Sequence, residues 1–240
     1  MAVFETELLE RKEIAEGTLA FRFAKPAGFQ FKPGQSVRLT LIDPPETDDK
    51  GNARPFSIAS APADDHLLFA TRMRDTAFKR VLKTMPPHAT VQIRGPAGQF
   101  VLDEGGTRPC AFLADGIGIT PFISMLRQTT ADKSARKLYL FYGNRRPEDA
   151  AFLDELLQLE ARNPNHRLTA TMAELEKSRQ PWAGETGLIG KDMLVRYLAD
   201  LAAPAYYIAG PPAMVETMQE MLTGAGVKAE DIRTDEFYGY

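Results

Sequence analysis

The period of the apolar residues changes part-way along the chain, and this change constrains the fold most. Up to about Leu102 the apolar runs are short, often alternating, and separated by glycine and proline, which is typical of an antiparallel barrel or sandwich. After the stretch EGGTR at residues 104–108, apolar strands alternate with longer helical patterns, which predicts a parallel sheet covered by helices. We therefore predict two domains, residues 1–104 and residues 109–240.

The composition is that of a globular protein and excludes several functional classes. The chain has 240 residues, of which 44% are hydrophobic and 25% are charged. Its formal net charge of −3 lacks the basic excess of nucleic-acid binders, so no nucleic-acid partner is expected. The apolar runs are too short to span a bilayer and the first residues lack a signal-peptide pattern, so we expect a cytoplasmic protein with no membrane span.

Cysteine and histidine are too few for the common metal centres. Cys110 is the only cysteine, so no internal disulfide is expected and a four-thiolate iron–sulfur cluster cannot form from this chain alone. The histidines, His66, His88 and His166, are scattered and match neither a haem-attachment motif nor a zinc-protease motif. No metal site is predicted.

Two glycine-containing turns in the second half each end a strand and begin a helix. They are ADGIGITP at residues 114–121 and AGPPAM at residues 209–214. The first departs from the GxGxxG dinucleotide fingerprint, so it is a weak signal by itself. Ligands of parallel sheets gather at the carboxyl ends of the strands, and a helix N-terminus favours phosphate. Together the two turns indicate one phosphate-binding face.

A further motif, RPFSIAS at residues 54–60, follows a polar loop at residues 43–53 that is expected to be mobile. The chain contains five motifs in the order and at the spacings of the ferredoxin–NADP reductase superfamily: RPFS, GPAGQF, DGIGITP, LFYGNR and AGPPAM. The resemblance covers essentially the whole chain. The protein resembles a stand-alone flavoprotein reductase, in which an antiparallel flavin-binding β-barrel precedes an α/β parallel-sheet NAD(P)-binding domain.

The resemblance implies roles for the RPFSIAS motif at the flavin. Arg54 would pair with flavin phosphate, which suits a planar and permanently charged guanidinium. Phe56 would lie against the isoalloxazine or the ribityl chain, and Ser57 would lie beside flavin N5, the atom that accepts hydride. The implied flavin contacts also include Pro55, Ile58, Ala59, Ser60 and Thr71.

For the diphosphate of FAD the family uses a small helix, and the matching segment here is RDTAFKR, residues 74–80. Thr76 is predicted to cap this helix, and the prolines at 86–87 are predicted to end it. The segment departs from the family's GxxS pattern. Nevertheless Thr76, the amides of Ala77, Phe78 and Lys79, and the charge of Lys79 would suit the diphosphate, so FAD is preferred to FMN. A helix with a solvated basic face is the alternative.

On the nicotinamide side, the resemblance implies that Gly116 and Gly118 hold the pyrophosphate and that Thr120 faces the junction of nicotinamide and flavin. Pro121 would begin the helix. Asp115 replaces a glycine of many relatives, a change that costs little if its side chain points to solvent. The floor under the nicotinamide would be formed by Gly210 and Pro211.

Arg145 and Arg146 follow the second strand of this domain, where the adenosine ribose would lie. They suit a 2′-phosphate, but solvated charge at a helix entry explains them equally well. Both NADPH and NADH therefore remain open, with a slight preference for NADPH.

The C-terminal stretch TDEFYGY resembles the family's ending, in which a carboxylate lies near the flavin and an aromatic side chain covers the ring. Two registers fit: Asp235 with Phe237, or Glu236 with Tyr238. Phe237 is preferred as the flavin-side aromatic, with Tyr240 as a further cover. A disordered tail is the alternative.

The resemblance implies that NAD(P)H delivers a hydride to bound FAD and that electrons then pass to a separate acceptor. That acceptor would be a ferredoxin-like or flavodoxin-like protein, an oxygenase component or a small molecule. Two other functions stay open. One is a free-flavin reductase that uses flavin as a dissociable substrate, and the other is a non-catalytic dinucleotide-binding regulatory subunit.

Overall fold

The computed structural model describes residues 1–103 and 105–238 and contains two six-stranded sheets. The first sheet contains β1 (Ala2–Ala15), β2 (Thr18–Ala24), β3 (Ser36–Leu41), β4 (Ala53–Ser57), β5 (His66–Arg72) and β6 (Thr90–Ala97). The second contains β7 (Cys110–Asp115), β8 (Leu138–Asn144), β9 (His166–Met172), β10 (Glu185–Thr186), β11 (Ala205–Gly210) and β12 (Ile232–Glu236). The α-helices are α1 (Ala77–Thr84), α2 (Thr120–Ala131), α3 (Leu153–Arg162), α4 (Lys191–Tyr197) and α5 (Pro212–Gly224).

The first sheet is antiparallel and curls towards closure. Its strand order is β4-β3-β6-β1-β2-β5, so β4 and β5 are the two edges. The chain that follows β4 joins these edges: the Ala59 amide donates to the Leu68 carbonyl over 2.8 Å, and the Leu68 amide donates to Ser60 Oγ over 3.1 Å. These bonds satisfy backbone N–H and C=O groups of the edge strand β5 that could otherwise pair with a strand of another molecule. The predicted antiparallel barrel is confirmed.

The second sheet is parallel, in the order β10-β9-β8-β7-β11-β12. Strand β7 is central, and its side chains from Cys110 to Ala114 are fully buried, as expected for a strand covered on both faces. All carboxyl ends lie at one edge, so the turns after β7 and β11 are neighbours there. The predicted α/β half is confirmed.

Helix α1 lies inside the first half, as the sequence predicts. Thr76 caps it, because its hydroxyl oxygen accepts a hydrogen bond from the Lys79 amide over 3.3 Å. Its buried side chains, which include Phe78 and Leu82, pack into the barrel core. The packing holds the first turn of the helix beside β4 and β5.

Helix α2 attaches the second sheet to the barrel. Phe122 and Ile123 share one apolar cluster with Ala59. Ser124 Oγ donates to the Ser60 carbonyl over 2.6 Å, and the Arg127 guanidinium donates to the Ala59 carbonyl over 2.8 Å. Buried backbone carbonyls need such partners, so these bonds stabilise the junction of the two sheets. Within the described ranges, none of the helices has both the length and the apolar character needed to cross a bilayer.

Candidate active site

A cleft of about 370 Å³ lies between the barrel and the second sheet, a volume within the range of small-molecule sites. It receives side chains from β4, β5 and α1, from the turn after β7, and from the C-terminal strand. Its lining residues are Ser36, Lys50, Arg54, Pro55, Phe56, Ser57, Ala70, Thr71, Arg72, Arg74, Thr76, Phe78, Lys79, Ile117, Thr120, Asp235, Glu236, Phe237 and Tyr238.

The RPFS residues form one wall of the cleft. The Phe56 ring is buried and packs against Phe69 and Phe78, with ring centroids 5.9 and 6.1 Å apart. The Arg54 guanidinium lies 5.1 Å from the centroid of the Phe78 ring, a cation–π contact that fixes its plane. Ser57 is 8% exposed. Strand β4 thus presents a cation, a ring and a hydroxyl to the same cavity.

Ile58, Ala59 and Ser60 lie away from the cleft, in contrast to their predicted cofactor contacts. Each is fully buried. Ile58 packs in the barrel core, while Ala59 and Ser60 make the bonds to β5 and α2 described above. The physical reason is that β4 ends at Ser57, and the next residues close the barrel instead of facing the cavity.

The first turn of α1 and the end of β5 bring cations together. Lys79 Nζ donates to the Arg72 carbonyl over 2.7 Å. Burial, together with the nearby charges of Arg74 and Arg54, lowers the pKa of Lys79 to about 8. Arg72 Nε is buried and has no hydrogen-bond partner among the described residues. A site with crowded positive charge and an unmatched donor favours an anionic ligand.

The amides of α1 are only partly available to such a ligand. The Ala77 amide donates to the Asp48 carboxylate, and the Lys79 amide donates to Thr76 Oγ1. Ala77 accordingly does not line the cleft, whereas Thr76, Phe78 and Lys79 do. The prediction that the Ala77 amide faces the flavin diphosphate therefore differs from the structure, because a loop carboxylate already accepts from it.

The glycines after β7 pack against protein. A Cβ at Gly118 would lie 2.3 Å from the Ala209 carbonyl oxygen, so only glycine permits this approach of the turn to β11. Gly116 has a φ of 52°, a conformation that glycine adopts readily. Thr120 lines the cleft, and Pro121 lies in the first turn of α2. Gly116, Gly118, Pro121, Gly210 and Pro211 do not line the cleft.

Asp115 does not point freely to solvent. A Cβ built at Gly143 would lie 3.2 Å from Asp115 Oδ1, and a Cβ built at Gly210 would lie 3.2 Å from Asp115 Cβ. The Asp115 side chain therefore lies between these two glycines. Burial raises its pKa to about 6, although Arg72 and Arg145 oppose the shift. The replacement of glycine by aspartate thus places an acid inside the glycine-rich face.

The two arginines after β8 have different environments. Arg146 donates through Nε and Nη2 to the buried Asp149 carboxylate over 2.9 and 3.0 Å. Arg145 is 55% exposed, with Nη2 3.7 Å from Asp149. Glu174, which pairs with Lys177 over 2.9 Å, also interacts with Arg145. Only Arg145 therefore remains accessible to a coenzyme phosphate, and neither arginine lines the cleft.

Residues 232–237 pair with β11. Asp235 lies opposite Ala209, and the Phe237 amide donates to the Gly210 carbonyl over 2.9 Å. Asp235 and Phe237 are half-buried, whereas Glu236 is exposed and Tyr238 is 79% exposed. Burial raises the pKa of Asp235 to about 6. This alternation favours the register of Asp235 with Phe237.

Tyr240, predicted as a further ring cover, lies outside the described residues. The cleft also contains residues to which the sequence pattern gave no role: Ser36, Lys50, Ala70, Arg72, Arg74 and Ile117. A signal existed for Arg72 and Arg74, since both are cations directly before a predicted phosphate-binding helix. Within residues 1–103 and 105–238, no cluster of histidine, cysteine, aspartate and glutamate could hold a metal ion.

Comparison with known proteins gives the family. Residues 112–220 match the model of the oxidoreductase NAD-binding domain. Ferredoxin–NADP reductase B of Sorangium cellulosum is 33% identical over 228 residues, which cover 91% of this chain and 90% of that protein. The chain belongs to the ferredoxin–NADP reductase family. The resemblance that its five motifs indicate is thereby confirmed.

Other known proteins are similar to this chain in fold or in sequence. A ferredoxin NADP⁺ reductase from Neisseria gonorrhoeae, solved with bound FAD and NADP, superposes with a TM-score of 0.82 at 21% identity and covers 98% of this chain and 99% of that one. The propane 2-monooxygenase reductase component of Rhodococcus jostii is 29% identical over 89% of this chain. The chain spans 57% of the length of that reductase component.

Proposed function

We propose that this protein is an NAD(P)H-dependent flavoprotein reductase that holds FAD in the cleft and passes electrons to a separate acceptor. The observation that carries the proposal is the placement of Arg54, Ser57, Thr120 and Phe237 around one cavity between the barrel and the parallel sheet. Residues 1–104 would bind the flavin, and residues 109–240 would bind the dinucleotide.

The residues of the cleft fit a flavin diphosphate. Arg54, Arg74 and Lys79 supply positive charge on one side of the cavity, and the unpaired Nε of Arg72 supplies a further donor. Hydrogen bonds from charged donors to phosphate oxygens are about twice as strong as neutral ones. Burial lowers the pKa of Lys79 most, and the charges of Arg74 and Arg54 lower it further; an anion in the cleft would offset that repulsion.

The chain's own residues would act by positioning. When bound, FAD supplies the hydride-accepting and single-electron chemistry, so the protein contributes orientation and electrostatics. Ser57 comes from β4 of the barrel and Thr120 from the start of α2, and both line the same cavity, which suits alignment of two rings across the domain junction. Phe237, from the C-terminal end of the chain, adds an aromatic surface to the lining of the cavity. Its half-buried ring would help to exclude water from the cavity.

Asp235 is suited to hold a proton at the cleft. Its carboxyl group is buried enough to raise its pKa to about 6, and it lies beside Phe237 on the inward side of the chain. Below about pH 6 the carboxyl oxygen carries the proton, and above that pH it accepts hydrogen bonds only. We infer that Asp235, and not the exposed Glu236, is the acid of the C-terminal motif.

The similar proteins suggest which class of molecule accepts the electrons. Oxygenase reductase components and a ferredoxin–NADP reductase are among the proteins that match this chain. We propose an acceptor of the same kind, either a small electron-transfer protein or an oxygenase component. The accessible Arg145 would favour NADPH over NADH.

The deciding experiment is an anaerobic titration of the purified protein with NADH and NADPH in turn, with the flavin absorbance as readout. We expect protein that stays yellow after dialysis and bleaches with either coenzyme, at lower concentrations of NADPH. Ferricyanide added afterwards should restore the oxidised spectrum.

Each alternative function has a distinct outcome in this experiment. Protein that loses its flavin on dialysis but oxidises NAD(P)H when flavin is added would be a free-flavin reductase. Protein that retains flavin but neither bleaches nor reduces ferricyanide would be a regulatory subunit. A colourless protein that no flavin reconstitutes would contradict the proposal altogether.

A further inference from the structure

The polar loop at residues 43–53 is attached to the barrel at two acidic side chains. Glu46 accepts from Arg80 Nε over 3.0 Å and from Arg80 Nη2 over 2.5 Å, on the outer face of α1. Asp48 lies beside the first residue of the same helix, Ala77. The loop predicted to be mobile therefore has fixed contacts with the helix assigned to the flavin diphosphate.

Asp48 contacts the two groups that a phosphate would use. Its Oδ1 accepts from Arg54 Nη2 over 2.9 Å, and its carboxylate also accepts from the Ala77 amide at the start of α1. The Lys50 amide donates to the same carboxylate over 3.0 Å. A guanidinium together with a helix N-terminal amide is a typical donor set for a phosphate oxygen.

The same loop also binds the other terminal nitrogen of Arg54. Arg54 Nη1 donates to the carbonyls of Lys50 and Gly51 over 2.9 and 2.8 Å. The loop thus satisfies both terminal nitrogens of a side chain that lines the cleft, while Asp48 itself lies outside the lining. Burial alone would raise the pKa of Asp48, but hydrogen bonds from Lys50 and Arg54 outweigh it and lower the pKa. The side chain is therefore an anion at neutral pH.

We propose that Asp48 is an internal anion that competes with the flavin phosphate for Arg54 and the first amide of α1. Flavin binding then requires the carboxylate to give up these donors, so Asp48 sets how strongly the site distinguishes phosphorylated flavins from riboflavin. The inference rests on the proposed flavin function. Its physical basis is that a bound ligand gains only the difference between its own contacts and those it replaces.

The test compares three flavins on the flavin-free full chain: riboflavin, FMN and FAD, with dissociation constants from flavin fluorescence. Asp48→Asn removes the charge and keeps the shape. We expect FMN and FAD to bind about tenfold more tightly to this variant, the size of one charge-assisted hydrogen bond, and riboflavin to bind as it does to the wild type.

Two matched variants isolate the position of the charge. Asp49→Asn makes the same change of net charge at the next residue, which lies outside the cleft lining. Glu46→Gln removes the other attachment of the loop without touching Arg54. Both should leave all three dissociation constants within about twofold, and thermal melting should show that each variant folds.

Every other result counts against the inference. Weaker FMN and FAD binding by Asp48→Asn would mean that Asp48 positions Arg54 instead of competing for it. Equal tightening by Asp49→Asn would indicate a general charge effect, and equal tightening of riboflavin would indicate a simple opening of the loop. Wild-type protein that binds riboflavin as tightly as FMN would overturn the inference and keep the flavin function, whereas binding of no flavin would overturn both.

Discussion

The two regions that we propose bind phosphate differ in what their key residues contact. Around α1, burial and the neighbouring charges of Arg74 and Arg54 lower the pKa of Lys79, so positive charge is in excess on that side of the cleft. Around the turn after β7, Gly118 abuts the backbone of β11, and Asp115 places an acid between neighbouring glycines. The region around α1 thus offers an anion mainly positive charge, whereas the turn after β7 offers mainly backbone shape. A glycine in a ligand-binding motif can therefore be required by packing alone.

Substitution of Gly118 by alanine tests the packing side of this comparison and has the largest expected effect. The new Cβ would lie 2.3 Å from the Ala209 carbonyl oxygen, so we expect a loss of about 3 kcal/mol in the free energy of unfolding, measured by urea denaturation. Gly224→Ala is the control, because its Cβ meets nothing within 4 Å. Full stability combined with lost NAD(P)H binding would instead assign Gly118 to the ligand.

Arg54→Gln tests the charged side. Removal of a guanidinium that pairs with phosphate should weaken FAD binding about 10- to 100-fold, measured by equilibrium dialysis. Arg38→Gln, an exposed position on the neighbouring strand β3, should leave FAD affinity unchanged. Equal losses in the two variants would show that only the overall positive charge of the barrel matters.

Lys79 should make flavin binding depend on pH. In the free protein its pKa is about 8, and an anion at the cleft raises that pKa, so FAD binding takes up a proton above pH 8. We expect FAD affinity to fall about tenfold between pH 8 and pH 9.5 and the fall to disappear in Lys79→Gln. The exposed Lys83 provides the control, since Lys83→Gln should retain the wild-type profile. A variant profile identical to that of the wild type would remove Lys79 from the site.

The smallest effect is expected for Arg145, the residue that we propose contacts the 2′-phosphate of NADPH. Arg145→Gln should weaken NADPH binding about two- to fivefold, the scale of an exposed ion pair, and leave NADH binding unchanged. Arg146→Gln should instead lower the melting temperature without altering the NADPH to NADH ratio, because Arg146 is paired with the buried Asp149. Coenzyme titrations of both variants distinguish the two roles, and an altered ratio in Arg146→Gln alone would reverse them.

The sequence predicts the fold class well because the period of the apolar residues reflects local geometry. It also predicts the parts of the site that carry their own chemistry, such as Arg54 in its motif and Thr76 as a helix cap. It is less informative about Ile58, because the point at which a strand turns inward depends on the residues that close the barrel. Asp48 was missed for a similar reason: besides Arg54 nearby, it faces the start of a helix almost thirty residues later.

Arg72 and Asp115 illustrate a second limit. Their importance comes from elements far apart in the chain, since Arg72 lies on β5 yet has its Nη2 3.9 Å from Asp149 of the second half. Asp115 is half-buried because its side chain lies between Gly143, opposite it on β8, and Gly210 at the end of β11. Sequence patterns report which residues are neighbours on one element, and they do not report which elements become neighbours.

The bonds from α2 to the end of β4 have a consequence for protein engineering. A hybrid reductase joined at residues 104–108 would take the carbonyls of Ala59 and Ser60 from one parent and their donors, Arg127 and Ser124, from the other. Because both acceptors are main-chain carbonyls, such hybrids should assemble well only when the second parent carries side-chain donors at positions 124 and 127 and the first parent places these carbonyls in the same way. A joint at residues 104–108 is therefore convenient for the gene, but the compatibility of the two exchanged halves depends on the bonds that Ser124 and Arg127 make.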